Sequence, residues 1–191
     1  MNAAGFTVFD TAVGPCGIVW GEAGIVGFEL PGPSPEATRR RLAGRWPGAV
    51  QSASPPEPVR TAINGVARLL GGERVDLSDI VIDIIGLSAF ERRVLEVART
   101  IPPGETLTYG QIAGRLGEAG AARAVGAALG RNPIPVIVPC HRVLAEGGKA
   151  GGFSAPGGLA TKARLLSIER ARTSDEPVLF DSLPIAVRPR R

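Results

Sequence analysis

The residues best suited to chemistry form one short segment, Pro139-Cys140-His141-Arg142, which holds the only histidine of the chain. A neighbouring base or cation lowers the pKa of a thiol, and the thiolate is its nucleophilic form. Because adjacent residues of an extended chain point to opposite sides, His141 needs a turn or a bridging water to reach the sulfur. The segment indicates either a reactive thiolate or a buried structural cysteine beside a satisfied core histidine.

The other chemistry-bearing residues are few. Cys16 and Cys140 are the only cysteines, so one chain cannot assemble a four-ligand zinc site of Cys and His type. Two thiols in 191 residues are also too sparse for a secreted disulfide scaffold. We therefore predict no metal site and no cofactor, and we interpret Cys16 as a structural thiol.

The composition is that of a globular protein. Hydrophobic residues make up 44% and charged residues 21% of the 191 residues, which is enough apolar material for a core. No run approaches 18 to 20 apolar residues, and the opening MNAAGFTVFD lacks the pattern of a signal peptide. These features predict a cytoplasmic protein that does not associate with membranes.

The net charge of +4 is unevenly distributed. Residues 1–87 carry seven Arg against nine Asp and Glu, a charge of −2, whereas residues 88–170 carry eleven Lys and Arg against six Glu, a charge of +5. A basic half is weak support for a nucleic-acid partner, because Arg and Lys contact phosphates. A mildly basic solvated surface is the alternative.

The first 87 residues predict a small α+β unit. The runs FTVFDTAV, CGIVW and GIVGFEL are β-rich and separated by Gly and Pro, which indicates an antiparallel meander. Ser34 before Pro35 predicts a helix start, and apolar residues spaced by three and four predict a helix over 58–70. The run DIVIDI, residues 79–84, predicts a further strand.

Residues 88–170 read as a mainly helical unit. Two capping boxes, Ser88-x-x-Glu91 and Thr108-x-x-Gln111, predict helix starts, and a Gly-containing turn over 117–120 leads into an alanine-rich helix over 121–130. Helix, short turn, helix is the helix-turn-helix pattern, although an ordinary αα-hairpin fits this stretch as well. Residues 134–138 predict an extended apolar segment, Gly147-Gly148 a hairpin, and 159–170 a last helix. The tail 171–191 reads as irregular.

One long stretch resembles a known family. TYGQIAGRLGEAGAARAVGAALGRNPIPVIVPCHRVL is similar to the C-terminal domain of the O6-alkylguanine-DNA alkyltransferases, the methylated-DNA–protein-cysteine methyltransferases. The resemblance runs from about Ser88 to Glu169. FDTAVGPCGIVW with GIVGFEL also resembles the family's N-terminal strand opening, so the likeness covers most of the chain outside the tail. It implies an α+β fold: an RNase H-like antiparallel-sheet and helix domain over 1–87, packed on a winged-helix-like domain over 88–170 that contains the helix-turn-helix.

The resemblance also implies a reaction. Such proteins bind duplex DNA as monomers, rotate an O6-alkylated guanine, or as a second candidate an O4-alkylated thymine, out of the stack, and accept the alkyl group irreversibly on a cysteine. The matching acceptor is Cys140, with His141 as the water-mediated base and Glu169 as the carboxylate that orients His141. Asn132 matches the asparagine that ties the helix to the cysteine loop.

The family's DNA contacts map onto the second helix and onto Tyr109 at the start of the first. Arg123 matches the arginine that fills the space of the extruded base, and Tyr109 the tyrosine that crowds the phosphate and donates to the purine. Small side chains allow close approach to a minor groove about 6 Å wide. The small residues expected there are Ala121, Ala122, Ala124 and Gly126, and those expected to line the guanine pocket are Val143, Phe153 and Ser154.

The sequence departs from the family in the loop GGFSAPGG. Phe153 stands where the family has tyrosine, and Ala155-Pro156 reads as an insertion, which puts the accepted range of alkyl groups in question. One alternative is an alkyltransferase-like protein that binds lesions without transfer, although such proteins usually lack the cysteine. A helix-turn-helix transcription factor is another, but the alanine face over 121–128 does not suit major-groove readout.

Overall fold

A computed structural model describes residues 3–84 and 86–172, and most of the tail predicted to be irregular lies outside this part of the chain. The fold is mixed α+β, as predicted, with a four-stranded sheet and six α-helices in the described ranges. The strands are β1 Gly5–Phe9, β2 Cys16–Trp20, β3 Ile25–Glu29, β4 Val50–Gln51, β5 Leu107–Thr108 and β6 Val143–Leu144. The helices are α1 Pro35–Arg45, α2 Glu57–Leu70, α3 Ala89–Arg99, α4 Tyr109–Arg115, α5 Ala122–Gly130 and α6 Gly158–Ile168.

The N-terminal sheet is an antiparallel meander extended by one parallel strand. Its order is β3-β2-β1-β4, and β4 pairs with β1 in parallel. Helix α1 begins as predicted, because the Ser34 side chain accepts a hydrogen bond from the backbone N–H of Ala37. It packs closely on the sheet: a Cβ added to Gly27 would lie 2.2 Å from the Trp46 ring, so glycine is required there.

The main core joins the sheet to the helices of the second half. It packs Phe28 of β3 with Val66 of α2, Val94 of α3 and Val125 of α5. Both predicted capping boxes are present, at Ser88 and at Thr108. Among residues 3–84 and 86–172, no helix is long and apolar enough to cross a membrane.

The predicted strand over 79–84 is wrong. Only Ile82 bridges Ile25, at the start of β3. Further along that edge, the backbone N–H of Phe28 donates to the carbonyl of Pro133 at 2.9 Å. Because the edge of β3 is occupied there by the Pro133 segment, the 79–84 segment cannot pair over its full length.

The extended segment predicted over 134–138 is a turn instead. The backbone N–H of Val138 donates to the carbonyl of Ile134 at 2.9 Å, and Val136 has a φ of 75°. The prolines at 133, 135 and 139 lack the N–H donors that a strand needs. This turn leads directly into the cysteine segment.

The predicted hairpin at Gly147-Gly148 is only partly correct. A tight turn is present, closed by a hydrogen bond from the Ala145 N–H to the Lys149 carbonyl at 2.8 Å. The preceding strand β6 does not pair across that turn but runs parallel to β5. This pairing places Tyr109, the first residue of α4, beside the chain that follows Cys140.

Candidate active site

The cysteine segment folds as a 3-10 turn over Cys140–Arg142. The backbone N–H of Cys140 donates to the carbonyl of Val138 at 2.8 Å, and the side-chain amide of Asn132 donates to the same carbonyl at 2.9 Å. The Asn132 oxygen accepts from the backbone N–H of Ile134 at 3.0 Å. Asn132 therefore fixes the turn that ends at the sulfur.

A cavity of about 990 Å³ connects the sulfur to the surface of α5. Cys140 is 9% exposed and lines this cavity together with Arg123 and Tyr109. The volume lies at the upper end of the range of ligand pockets, about 300–1,000 Å³. Other predicted residues that line it are Ala122, Gly126, Phe153 and Ser154.

Three other predicted residues lie outside the cavity wall. Val143, expected to line the pocket, is fully buried on β6, and its side chain is not part of the cavity wall. Ala124 is exposed on α5, while Ala121 packs partly against the main core. The cavity wall on α5 is thus formed by Ala122, Arg123 and Gly126 with the end of that helix.

The loop over residues 145–156, which follows the cysteine turn, forms another part of the cavity wall. Ser154 donates its hydroxyl hydrogen to the Gly130 carbonyl at 3.0 Å, which ties the loop to the end of α5. Gly151 packs directly on Tyr109, since an added Cβ would lie 2.5 Å from the phenol oxygen. Ala155 and Pro156 line a smaller cavity of about 70 Å³, and Cys140 also lines it.

Behind the sulfur lies a buried network around Glu169. Its carboxylate accepts two hydrogen bonds from Arg142, at 2.7 Å from Nε and 2.8 Å from Nη2, and one from Nε2 of His141 at 2.9 Å. Arg142 also donates to the Ile101 carbonyl at 2.6 Å. Although burial alone would raise it, the hydrogen bonds from His141 and Arg142 hold the pKa of Glu169 at about 2.

This network defines the state of His141. Burial lowers the pKa of His141, although Glu169 opposes that shift, so the ring is neutral near pH 7. Because Nε2 faces the carboxylate, we assign the proton to Nε2 and the lone pair to Nδ1. Nδ1 is buried and has no hydrogen-bond partner in the described part of the chain. It is the atom able to accept a proton.

The sulfur itself is in an apolar setting. Burial raises the pKa of Cys140, while a hydrogen bond from Asn132 and the charge of Lys162 lower it. Arg142, the cation nearest to Cys140 in the sequence, is bound by Glu169 instead. Cys16 is also a free, buried cysteine, and burial raises its pKa to about 12.

Sequence analysis missed Lys162. Its side chain is completely buried on α6, and its amine donates to the Val143 carbonyl. One signal was available: the chain has only two lysines, and Lys162 shares the inner face of α6 with Leu165 and Leu166. A rare lysine on an apolar helix face marks a buried charge.

Comparisons with known proteins place the chain among its relatives. The family model described as "6-O-methylguanine DNA methyltransferase, DNA binding domain" matches residues 89–171. The methylated-DNA–protein-cysteine methyltransferase of Methanothermobacter thermautotrophicus is 37% identical over 153 residues, which cover 80% of this chain and 78% of the relative. The methylated-DNA–protein-cysteine methyltransferase of Mycolicibacterium paratuberculosis is 40% identical over 154 residues, which cover 80% of this chain and 91% of that relative.

A solved structure shares the fold. The crystal structure of Mycobacterium tuberculosis OGT in complex with DNA aligns with a TM-score of 0.69 at 31% identity, covering 87% of this chain and 93% of that one. The identity of 37% to the first relative extends over four fifths of the chain, and the structural match covers 87% of it. The chain belongs to the methylated-DNA–protein-cysteine methyltransferase family.

Proposed function

We propose that this protein repairs O6-alkylguanine in duplex DNA by moving the alkyl group to Cys140. The observation that carries the proposal is the cavity that leads from the buried sulfur to α5 and Arg123. A base rotated out of the helix would enter there, while Arg123 takes its place in the stack. O4-alkylthymine presents the same alkylated exocyclic oxygen and is the second candidate substrate.

The described residues divide the chemistry among themselves. The Cys140 proton passes through a water to Nδ1 of His141, and Glu169, held ionised by Arg142, stabilises the resulting imidazolium. The sulfur then forms a bond to the alkyl carbon while the bond from that carbon to O6 breaks. The electron pair of that bond stays on the purine, which takes one proton from the Tyr109 phenol on the cavity wall. The proton held by His141 is then passed back to the phenolate through water, so both side chains end neutral.

The reaction occurs once for each molecule. A thioether does not reverse under these conditions, so the protein is consumed by its own reaction. A protein that only binds lesions is the alternative, and Cys140 on the cavity wall favours transfer over it. Family membership supports the same choice.

Intact-protein mass spectrometry tests the transfer. Incubation with duplex DNA containing O6-methylguanine should add one methyl group to the peptide that bears Cys140, and Cys140→Ala should abolish the adduct. Cys16→Ala, which removes the other thiol, is the matched control and should react normally. Wild-type protein that binds the duplex but gains no mass would establish the lesion-binding alternative.

The DNA surface is part of the proposal. We expect α5 to enter the minor groove, because its cavity side carries Ala122 and Gly126 and its exposed residues include Arg123. Arg123→Ala should slow repair of duplex DNA strongly without lowering thermal stability. Arg60→Ala on α2, an exposed arginine paired with Glu57, is the control. Equal repair rates for the two variants would contradict the assignment.

The finer description of the fold belongs to this proposal as well. We propose an RNase H-like domain over residues 1–87 and a winged-helix-like domain over 88–170, in a monomer that acts in the cytoplasm. The order β3-β2-β1-β4 with helices beside it supports the first domain, and the α4–α5 pair supports the second. Limited proteolysis that first cuts near residue 87, and light scattering at the monomer mass, are the expected results.

A further inference from the structure

The side chain of Lys162 poses an electrostatic problem. It is completely buried, and burial of an ammonium costs free energy unless an anion or several dipoles compensate it. Within residues 3–84 and 86–172, no carboxylate pairs with it. Its amine donates to the Val143 carbonyl at 2.5 Å and lies 5.9 Å from the centre of the Tyr109 ring. The ammonium form of Lys162 therefore has two dipolar neighbours and no counter-ion among these residues.

The two neighbours of that amine belong to the pocket. Val143 follows Cys140 by three residues, and Tyr109 lines the same cavity as the sulfur. The helix α6 also packs on the turn that carries Cys140. The lysine is therefore fixed on the protein side of the acceptor, away from the opening through which DNA would approach.

We infer that Lys162 is the counter-charge of the Cys140 sulfur: its ammonium stabilises the attacking thiolate and loses that partner when the sulfur is alkylated. The inference rests on the proposed function and adds to it a positioning residue that no step above uses. The electrostatic coupling runs in both directions. Lys162 opposes the rise in the pKa of Cys140 that burial causes, and Cys140 opposes the fall in the pKa of Lys162.

The charges before and after transfer differ. Thiolate and ammonium together are neutral, so the pair can remain buried. Once the S–C bond has formed and the electron pair of the broken C–O bond has left with the purine, the sulfur is an uncharged thioether. Lys162 then keeps the Val143 carbonyl and the Tyr109 ring but has no anionic partner, since the Glu169 carboxylate is compensated by Arg142. Alkylation should therefore make Lys162 lose its proton more easily.

The small number of lysines allows this to be measured directly. Lysine labelled with ¹³C at Cε gives signals from Lys149 and Lys162 only, and Lys149→Arg assigns them. The protein is titrated before and after alkylation of Cys140 with iodoacetamide, while Cys16, with a pKa of about 12, stays unreacted. The Lys162 midpoint should fall by about one unit or more, and that of exposed Lys149 should not move.

A second variant guards against unfolding of the alkylated protein. Cys140→Ser carries a hydroxyl that does not ionise in this range, so it should lower the Lys162 midpoint in the same direction without any adduct. If Lys162 titrates at the same pH in wild-type, alkylated and Cys140→Ser protein, the two groups are not coupled and the inference is wrong.

The reverse measurement follows the sulfur. Lys162→Met should raise the pKa of Cys140 by about one unit, which means roughly tenfold slower reaction with iodoacetamide at a pH below both values. Lys162→Arg should retain most of the reactivity, and Lys149→Met should behave as wild type. A merely structural lysine would change the unfolding midpoint but leave the pH profile of the thiol in place, and that result would overturn the inference.

These measurements need no DNA, so they are independent of the repair assay. Wild-type protein that fails to gain a methyl group from the duplex would refute the proposed function while the coupling could still be measured. Normal methyl transfer together with an unchanged thiol profile in Lys162→Met would refute the inference alone.

Discussion

Replacement of Glu169 by glutamine should both destabilise the protein and slow transfer. The carboxylate receives three hydrogen bonds of 2.7 to 2.9 Å from Arg142 and His141. All three side chains are buried, with 0% exposure for His141 and 5% for Arg142. Glutamine keeps the shape but removes the negative charge, so it leaves the Arg142 guanidinium buried without a counter-ion.

The expected magnitude follows from that geometry. Removing one partner of a buried ion pair costs about 3–5 kcal/mol of unfolding free energy. We expect the lower end, about 3 kcal/mol, because the glutamine oxygen still accepts one bond and Arg142 keeps the Ile101 carbonyl. With a urea m-value of about 2 kcal/mol/M, the unfolding midpoint should fall by about 1.5 M.

Equilibrium urea unfolding measures the loss of stability in Glu169→Gln, and single-turnover methyl transfer measures the loss of activity. Glu91→Gln is the matched control, because Glu91 pairs with Arg131, whose side chain is 69% exposed and regains water when the partner is lost. Transfer by Glu169→Gln should be slow even in buffer without urea, since His141 loses the anion that stabilises its protonated form. A midpoint equal to that of Glu91→Gln, or a normal transfer rate, would refute the reasoning.

Three further changes test other parts of the structure. Burial raises the pKa of Cys16 from its ordinary value of 9.0 to about 12, so the stability that the neutral thiol contributes is present below pH 9 and is lost as the pH rises to about 12. The loss of unfolding free energy should reach up to about 4 kcal/mol. Thermal unfolding should show it in wild type but not in Cys16→Ala. Gly151→Ala should displace the Tyr109 ring and slow repair, whereas Gly152→Ala, whose added Cβ meets nothing within 4 Å, should not. Deletion of Ala155-Pro156 should change the rate with free O6-benzylguanine relative to methylated duplex, and equal ratios would show that the smaller cavity plays no part in alkyl selection.

Much of the scaffold could be predicted because its signals are local. The Ser88 and Thr108 capping boxes specify helix starts through contacts three residues apart, and both form as expected. The amphipathic pattern over 58–70 likewise predicts α2, since one helix face must be buried. Such interactions need no knowledge of the rest of the fold.

The errors occur where backbone partners come from distant segments. The apolar run at 79–84 reads as a strand, but whether it pairs depends on how much of the β3 edge Pro133 already occupies. The run 134–138 is equally β-like in composition, yet three prolines remove donors and Asn132 holds it as a turn. Hydrophobic pattern alone cannot distinguish a strand from a buried turn in such segments.

The cation that lies near the Cys140 sulfur could not be predicted from the sequence either. In the sequence, Arg142 is the cation nearest to Cys140, two residues away. In a 3-10 turn, however, neighbouring side chains diverge, and Arg142 points to Glu169, 27 residues away, while the cation coupled to the sulfur comes from Lys162 on α6. The partner of a buried charge is the group that packs beside it in the fold. Here that depends on the packing of α6 against the cysteine turn rather than on distance along the chain.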